Sequence, residues 1–133
     1  MTDPSRANAP LILVVDDIAD ARLMYSLYLT NHGFRVVEAA NGEDAVRLAH
    51  EQHPALVLMD LGMPVMDGDG WEATRRIKAD PRTRSVPVLA VSGHALADSV
   101  KQAKDSGVDA IFRKPCLPAV VLAKINEMLG LSD

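Results

Sequence analysis

Acidic side chains stand directly after two apolar runs that are too short for ordinary helices. Asp16 and Asp17 follow the run at 11–15, and Asp60 follows the run at 55–59. Continuous apolar runs of this length are typical of strands buried on both faces of a parallel sheet. Ligands of open parallel α/β sheets bind just outside the carboxyl ends of the strands, so these acids are site candidates. Each acid alone has a plainer explanation, as a turn residue or a helix cap.

Two more polar side chains follow the remaining long apolar runs. Ser92 comes after the run at 86–91, and Lys114 comes shortly after the run at 108–112. All carboxyl ends of a parallel sheet lie on one edge, so both residues are expected to converge with the acids. Ser92 taken singly is explained as a helix cap, and Lys114 as a snorkelling side chain. Acids, a hydroxyl and an amine at four strand ends together favour a site.

Such a site predicts chemistry on a phosphoryl group. Two carboxylates about 4 Å apart repel by roughly 4 kcal/mol at an effective dielectric of about 20, so three acids need a cation. Oxygen ligands without His or Cys favour Mg²⁺, or Mn²⁺, over zinc. Lys114 and Ser92 are suited to bind phosphoryl oxygens, and an Asp carboxylate can form an aspartyl-phosphate. The residues therefore predict a metal-assisted phosphoryl acceptor.

The segments between the apolar runs predict the helices that position this site. Strands are expected at 11–15, 34–38, 55–60, 86–91 and 108–112, and helices at 18–32, from Asn41, and at 71–79, 96–105 and 117–129. Helical spacing relates Leu23, Met24, Leu27 and Tyr28; then Ala45, Leu48 and Ala49; and finally Leu117, Val121, Ile125 and Met128. Five alternations of strand and helix predict one doubly wound parallel sheet with helices on both faces, an α/β fold.

Composition limits the class of protein. The 133 residues are 48% hydrophobic and 24% charged, which predicts a single globular domain at about 10–133 after a flexible lead-in at 1–9. A net charge of -4 disfavours nucleic-acid binding. The single cysteine, Cys116, excludes an intrachain disulfide. No apolar run reaches the roughly 20 residues of a membrane helix, so no membrane partner and a cytoplasmic location are expected.

As an ordered set, these segments resemble the receiver domain of two-component response regulators, in particular the single-domain, chemotaxis-regulator-like members. The matching segments, which fall within residues 11–129, are Leu-Val-Val-Asp16-Asp17, Val-Leu-Met-Asp60-Leu-Gly-Met-Pro64, Met66-Asp67-Gly68, Val-Ser92-Gly93 and Arg-Lys114-Pro115. The resemblance implies a flavodoxin-like, five-stranded sheet in the order 2-1-3-4-5 with five helices.

The resemblance also implies a role for each site residue. Asp60 corresponds to the phosphoacceptor, and Asp16 and Asp17 correspond to the Mg²⁺ ligands, together with Asp60 and the backbone carbonyl of Gly62. Ser92 corresponds to the hydroxyl that switches on phosphorylation. Lys114 corresponds to the lysine that pairs with the phosphate, with a cis bond to Pro115 expected.

Three positions depart from the family pattern. Ile111 stands where the family usually has an aromatic residue whose rotation reports phosphorylation, which brings such a switch into question. The repeated Asp-Gly at 67–70 predicts a loop about two residues longer than in relatives, with Asp69 near the metal as one outcome. Cys116 replaces a bulky apolar residue, and a packing change is expected there rather than a redox function.

The sequence favours a stand-alone receiver that is not an enzyme beyond its own phosphotransfer and dephosphorylation. The expected donor is the phosphohistidine of a sensor histidine kinase or a histidine phosphotransfer protein, and the expected output is protein contact through about 96–129. One alternative is a receiver module excised from a hybrid histidine kinase or longer regulator. A phosphatase resembling the haloacid dehalogenases would need a second Asp where Gly62 stands. A flavin carrier would have its phosphate repelled by Asp16 and Asp17.

Overall fold

The computed structural model of the chain describes residues 9–60, 69–92, 107–113 and 116–131, with backbone alone at 69–71 and 92. The strands are β1 Leu11–Val15, β2 Arg35–Ala39, β3 Leu56–Asp60, β4 Val88–Ser92 and β5 Ala110–Arg113. The helices within these ranges are α1 Ala19–Asn31, α2 Gly42–Gln52, α3 Asp69–Ala79 and α4 Pro118–Leu129. The additional helix expected at 96–105 lies outside the described residues.

The five strands form one parallel sheet in the order β2-β1-β3-β4-β5, which confirms the expected strand order. Val15 of β1 pairs with Met59 of β3, so the next residues, Asp16 and Asp60, reach the same edge of the sheet. Ser92 pairs with Arg113 at the ends of β4 and β5. The carboxyl ends of the strands are therefore aligned, as a doubly wound sheet requires.

Each face of the sheet carries its own hydrophobic core. On one face, Ala45 and Ala49 of α2 and Ile77 of α3 pack against β1, β3 and β4. On the other face, Leu29 of α1 and Ile125 of α4 pack against the same strands. The four described helices thus cover both faces in pairs, which keeps the sheet fixed beneath its carboxyl edge.

Helix α1 contradicts the simplest interpretation of its apolar pattern. The residues that contact the core are Tyr25, Ser26 and Leu29, whereas the side chains of Leu23 and Leu27 are 51% and 56% exposed. The helix is apolar around most of its circumference, so helical spacing alone does not identify the buried face. In α2 the expected inner residues Ala45 and Ala49 are buried and Leu48 is partly buried against the same core, because the exposed positions of that helix are all polar.

Three elements begin two residues away from the predicted position, and the other boundaries that differ do so by one residue. Helix α3 begins at Asp69 instead of Trp71, so the prediction that the loop extends to residue 70 is wrong for these helical positions. An acidic residue in the first turn is favoured by the helix dipole. Strands β4 and β5 each begin two residues later than expected, at Val88 and Ala110. Pro87 lacks the N–H that a ladder needs, which explains the delayed start of β4.

Candidate functional site

Three carboxylates meet at the carboxyl edge of the sheet. Asp16, Asp17 and Asp60 each offer a carboxylate oxygen, and these oxygens all lie within 4.8 Å of one another. The side chains of Asp16 and Asp60 are buried, with 2% and 5% exposed. Asp16 and Asp17 directly follow β1, and Asp60 is the last residue of the neighbouring strand β3. The structure therefore brings together the three acids that the strand-end argument expected to converge.

Asp16 fixes the turn between β1 and α1 through its backbone and its side chain. The backbone N–H of Asp16 donates to the carbonyl of Ala39, at 3.1 Å, and continues the pairing of β1 with β2. The N–H of Ile18 donates to Oδ1 of Asp16, at 2.9 Å. Ile18, and not Asp17, is the N-cap residue of α1. Capping of α1 therefore does not explain Asp17.

One carboxylate oxygen of Asp17 indicates that this site binds a ligand. Its Oδ1 is buried and has no hydrogen-bond partner among the residues that the structure describes. A buried acceptor without a partner is costly, and one in a cluster of like charges is more so. A small divalent cation that prefers oxygen ligands, such as Mg²⁺, matches this all-carboxylate donor set.

Arg22 contacts the site from the first turns of α1, and the sequence argument did not single it out. Its Nη1 donates to the backbone carbonyl of Asp16 at 2.7 Å, and its Nε donates to Oε1 of Glu38 at 3.2 Å. The available sequence signal was an arginine one turn into a helix that begins just after two acids. Tertiary contacts to a backbone carbonyl carry no residue-type signature, so the signal was weak.

Tyr25 lies beneath the same edge and was also missed. Its hydroxyl donates to the backbone carbonyl of Cys116 over 3.4 Å, which joins α1 to the chain just before α4. Burial, together with negative charge on Cys116, Asp16 and Asp60, raises the pKa of Tyr25 to about 12. The phenol is therefore a neutral hydrogen-bond donor at physiological pH.

The other predicted site residues are described only in part. The backbone of Ser92 ends β4 at the carboxyl edge; its side chain, and all of Gly62, Lys114 and Pro115, lie outside the described residues. Arg113 ends β5 opposite Ser92 at that edge. Asp69 has only its backbone described, within α3.

Ile111 and Cys116, the two remaining residues noted in the sequence, pack against the hydrophobic cores. Ile111 is partly buried and packs against the core cluster that contains α2 and α3. Cys116 is partly buried against the other core cluster, and burial raises the pKa of its thiol. This contact agrees with the packing role expected for Cys116.

Comparison with known proteins identifies relatives of the whole described fold. The response regulator receiver domain family matches residues 12–126 of this chain. Protein PilH of Pseudomonas aeruginosa is 34% identical over 119 residues, which cover 90% of this chain and 97% of PilH. The sensor protein GacS of Pseudomonas syringae pv. syringae is 35% identical over 130 residues, which cover 97% of this chain but 14% of GacS.

A solved structure of a receiver domain has a similar fold. The receiver domain of the sensor histidine kinase PA1611 from Pseudomonas aeruginosa PAO1 matches with a TM-score of 0.83 and 31% identity, over 92% of this chain and 98% of that domain. That structure has a magnesium ion coordinated in its active-site cleft. Separately, none of the helices within the described residues has the length and apolar character to cross a membrane.

Proposed function

The chain belongs to the response regulator receiver domain family, and we propose that it accepts a phosphoryl group from a phosphohistidine donor onto Asp60 with Mg²⁺. The observation that carries this proposal is the meeting of three carboxylates within 4.8 Å at the carboxyl edge of the sheet. A folded chain tolerates such a concentration of like charge when binding offsets the repulsion.

Asp60 is the proposed acceptor because of its position in β3. It is the last residue of a strand that is buried along its whole length, so the backbone of the nucleophile is fixed. In the step, a carboxylate oxygen of Asp60 forms the O–P bond as the N–P bond of the donor breaks. The electron pair of that bond returns to the donor imidazole. Later attack of water on the phosphorus would release phosphate and restore Asp60.

Asp16, Asp17 and Asp60 are the proposed metal-binding side chains, with the carbonyl of Gly62 as a further ligand by analogy with the family. When bound, Mg²⁺ would neutralise the developing charge of the transferred group and the repulsion between the acids. The buried Oδ1 of Asp17 has no hydrogen-bond partner among the described residues, and the cluster found among them contains only carboxylates, which supports an ion that takes oxygen ligands.

Lys114 and Ser92 are the proposed phosphate-binding partners. The end of β5 at Arg113 and of β4 at Ser92 leads the chain to the carboxyl edge at both positions. A lysine there would pair with the phosphoryl oxygens, and a serine hydroxyl would donate to them. Movement of Ser92 towards the phosphoryl group is the proposed switch, because Ile111 provides no aromatic ring to rotate.

Protein contact is the proposed route for signal input and output. Exposed apolar side chains lie in the α1 region, at Ile18, Leu23 and Leu27, and at the start of α4, at Leu117 and Val120. Exposed apolar groups of this kind suit the docking of a protein partner. For the output we propose the surface at about 96–129, without nucleic-acid or membrane contact, and a cytoplasmic location.

The relatives leave two contexts for such a receiver. The chain spans 97% of PilH and 51% of the transcriptional regulatory protein AfsQ1 of Streptomyces coelicolor. We propose the stand-alone form, with the receiver of a hybrid kinase or longer regulator as the alternative. The complete reading frame distinguishes these two contexts, and both use the same site.

Phosphorylation by acetyl phosphate with Mg²⁺ tests the assignment of Asp60. We expect the wild-type chain to gain one phosphoryl group by intact-protein mass spectrometry, and Asp60→Asn to gain none. Hydroxylamine should release the label, as it does from acyl phosphates. The matched control is Asp20→Asn, which removes an exposed acid from the first turn of α1. Equal labelling of wild type and Asp60→Asn contradicts the proposal.

A further inference from the structure

Arg22 joins the turn that carries two of the site acids to the neighbouring strand. Its side chain is 19% exposed, and its partner Glu38 is 40% exposed at the end of β2. The guanidinium uses two edges of its planar fork: Nη1 donates to the Asp16 carbonyl at 2.7 Å, and Nε donates to Glu38 at 3.2 Å. Two hydrogen bonds from separate nitrogens of one side chain require the geometry of arginine, which lysine does not reproduce.

The carbonyl that Arg22 holds is part of the peptide that links Asp16 to Asp17. Other groups of Asp16 are already fixed, since its N–H donates to Ala39 and its carboxylate accepts from Ile18. The hydrogen bond from Arg22 therefore fixes the plane of the peptide from which Asp17 continues. The N-cap position of α1 is occupied by Ile18 and not by Asp17.

Asp17 depends on this backbone for its orientation. Its buried Oδ1 has no hydrogen-bond partner within the described part of the chain. We propose that Arg22 is a positioning residue for the divalent cation, holding the Asp16–Asp17 peptide so that the Asp17 carboxylate faces the other two acids. This inference rests on the proposed function, because it concerns the same cation.

The charge of Arg22 has an opposite effect that Glu38 offsets. A free cation beside three carboxylates would repel Mg²⁺ and weaken its binding. Here the guanidinium is paired with the carboxylate of Glu38, so the pair adds little net charge to the site. The hold on the backbone is then the larger effect, and loss of Arg22 weakens metal binding instead of strengthening it.

Isothermal titration with Mg²⁺ alone, at constant ionic strength, tests the inference. We expect Arg22→Gln to bind Mg²⁺ roughly 10- to 100-fold more weakly than wild type, the usual result of losing an outer-shell partner. Arg22→Lys keeps the charge but has a single donor nitrogen in place of the arginine fork, so it should recover part of the affinity. The control Arg47→Gln removes an exposed arginine that pairs with Asp44 and Glu51 on α2, and it should bind as wild type does.

Thermal unfolding in EDTA, followed by circular dichroism, separates positioning from loss of the fold. The inference is overturned if folded Arg22→Gln binds Mg²⁺ as tightly as wild type or more tightly. If Arg22→Gln does not fold, Arg22→Lys decides, and wild-type affinity in that variant overturns the inference. Failure of the proposed function has a different signature: wild type itself binds no Mg²⁺, or Asp60→Asn is phosphorylated like wild type.

Discussion

Charged side chains are arranged in opposite ways at the two ends of the strands. The end at which the parallel strands begin is the amino edge, and the end at which they finish is the carboxyl edge. At the amino edge, Lys78 of α3 is surrounded by acceptors, and its Nζ donates to Asp109 at 2.7 Å and to the Val86 carbonyl at 2.8 Å. At the carboxyl edge, Asp16, Asp17 and Asp60 crowd together. The first arrangement pairs charge and stabilises the fold. The second concentrates like charge, and the molecule is expected to be less stable there until a cation binds.

At the amino edge, one carboxylate oxygen joins three segments of the fold. Asp109 Oδ2 accepts from Lys78 and also from the backbone N–H of Val88, at 2.7 Å. Gly107 has a φ of +99°, and a Cβ there would lie 3.0 Å from the Cγ of Lys78. These contacts fasten α3 to the start of β4 and to the segment before β5. Lys78 and Asp109 are paired with each other and with backbone groups, so this arrangement gives no indication of a ligand.

Lys78→Met is expected to give the largest change in stability. The variant leaves Asp109 without its cation and the Val86 carbonyl without its donor, which should lower the free energy of unfolding by about 2 kcal/mol. Urea denaturation measures this change. Mg²⁺ affinity should be unaltered, because the two edges are independent.

Lys124→Met is the matched control for that variant. Lys124 pairs with Glu127 over 3.4 Å on the outside of α4, where Glu127 is 70% exposed. Exposed pairs of this kind contribute about 0–1 kcal/mol. Equal destabilisation by the two substitutions would contradict the view that the amino edge is a structural anchor.

The parts of the molecule differ in how well they could be predicted from the sequence. The acids were identifiable because strand ends in a parallel sheet converge, and both Asp16 and Asp60 directly follow apolar runs. The strand order followed from resemblance to a family. Helix α1 was recognised as a helix, yet its buried face was not, since Leu23 and Leu27 fit helical spacing as well as the buried Leu29 does.

The residues that sequence reasoning missed act through the backbone of distant segments. Arg22 reaches the carbonyl of Asp16, and Tyr25 reaches the carbonyl of Cys116, 91 positions away. Any residue offers a carbonyl, so neither contact leaves a pattern of residue types. Such contacts become visible only when the fold has placed the two segments together.

Asp17→Asn is expected to stabilise the metal-free protein. Removing one of three crowded charges relieves repulsion, and the free energy of unfolding in EDTA should rise by about 1–2 kcal/mol. The same variant should lose the additional stability that Mg²⁺ gives the wild type. Thermal unfolding with and without Mg²⁺ measures both effects.

The control for this stabilisation is Asp20→Asn, which also removes one negative charge near the start of α1. Asp20 is exposed in the first turn of α1, where a carboxylate interacts favourably with the helix dipole. Its loss should lower stability by a few tenths of a kcal/mol. A gain in stability from both substitutions would mean that reduced net charge, and not relief within the cluster, is responsible.

The smallest expected effect uses Tyr25 as a reporter of charge at the carboxyl edge. The pKa of Tyr25 is raised from 10.0 to about 12, first by burial and then by neighbouring negative charges that include Asp60. Asp60→Asn removes one of those charges, so the pKa of Tyr25 should fall while burial keeps it above 10. Titration of tyrosinate absorbance measures the change, with Tyr25→Phe identifying the signal of Tyr25 itself.

The same raised pKa gives a stability change of known sign. The folded state holds the phenolic proton more tightly than the unfolded state, so this contribution is complete below pH 10 and is lost as the pH rises towards 12. Wild type should therefore lose about 1 kcal/mol more stability over that interval than Tyr25→Phe does. Tyr28→Phe, which changes the ring stacked on His32, should follow the wild-type profile. If Tyr25→Phe follows it too, the pKa of Tyr25 is not raised in the folded protein, either by burial or by the neighbouring acids.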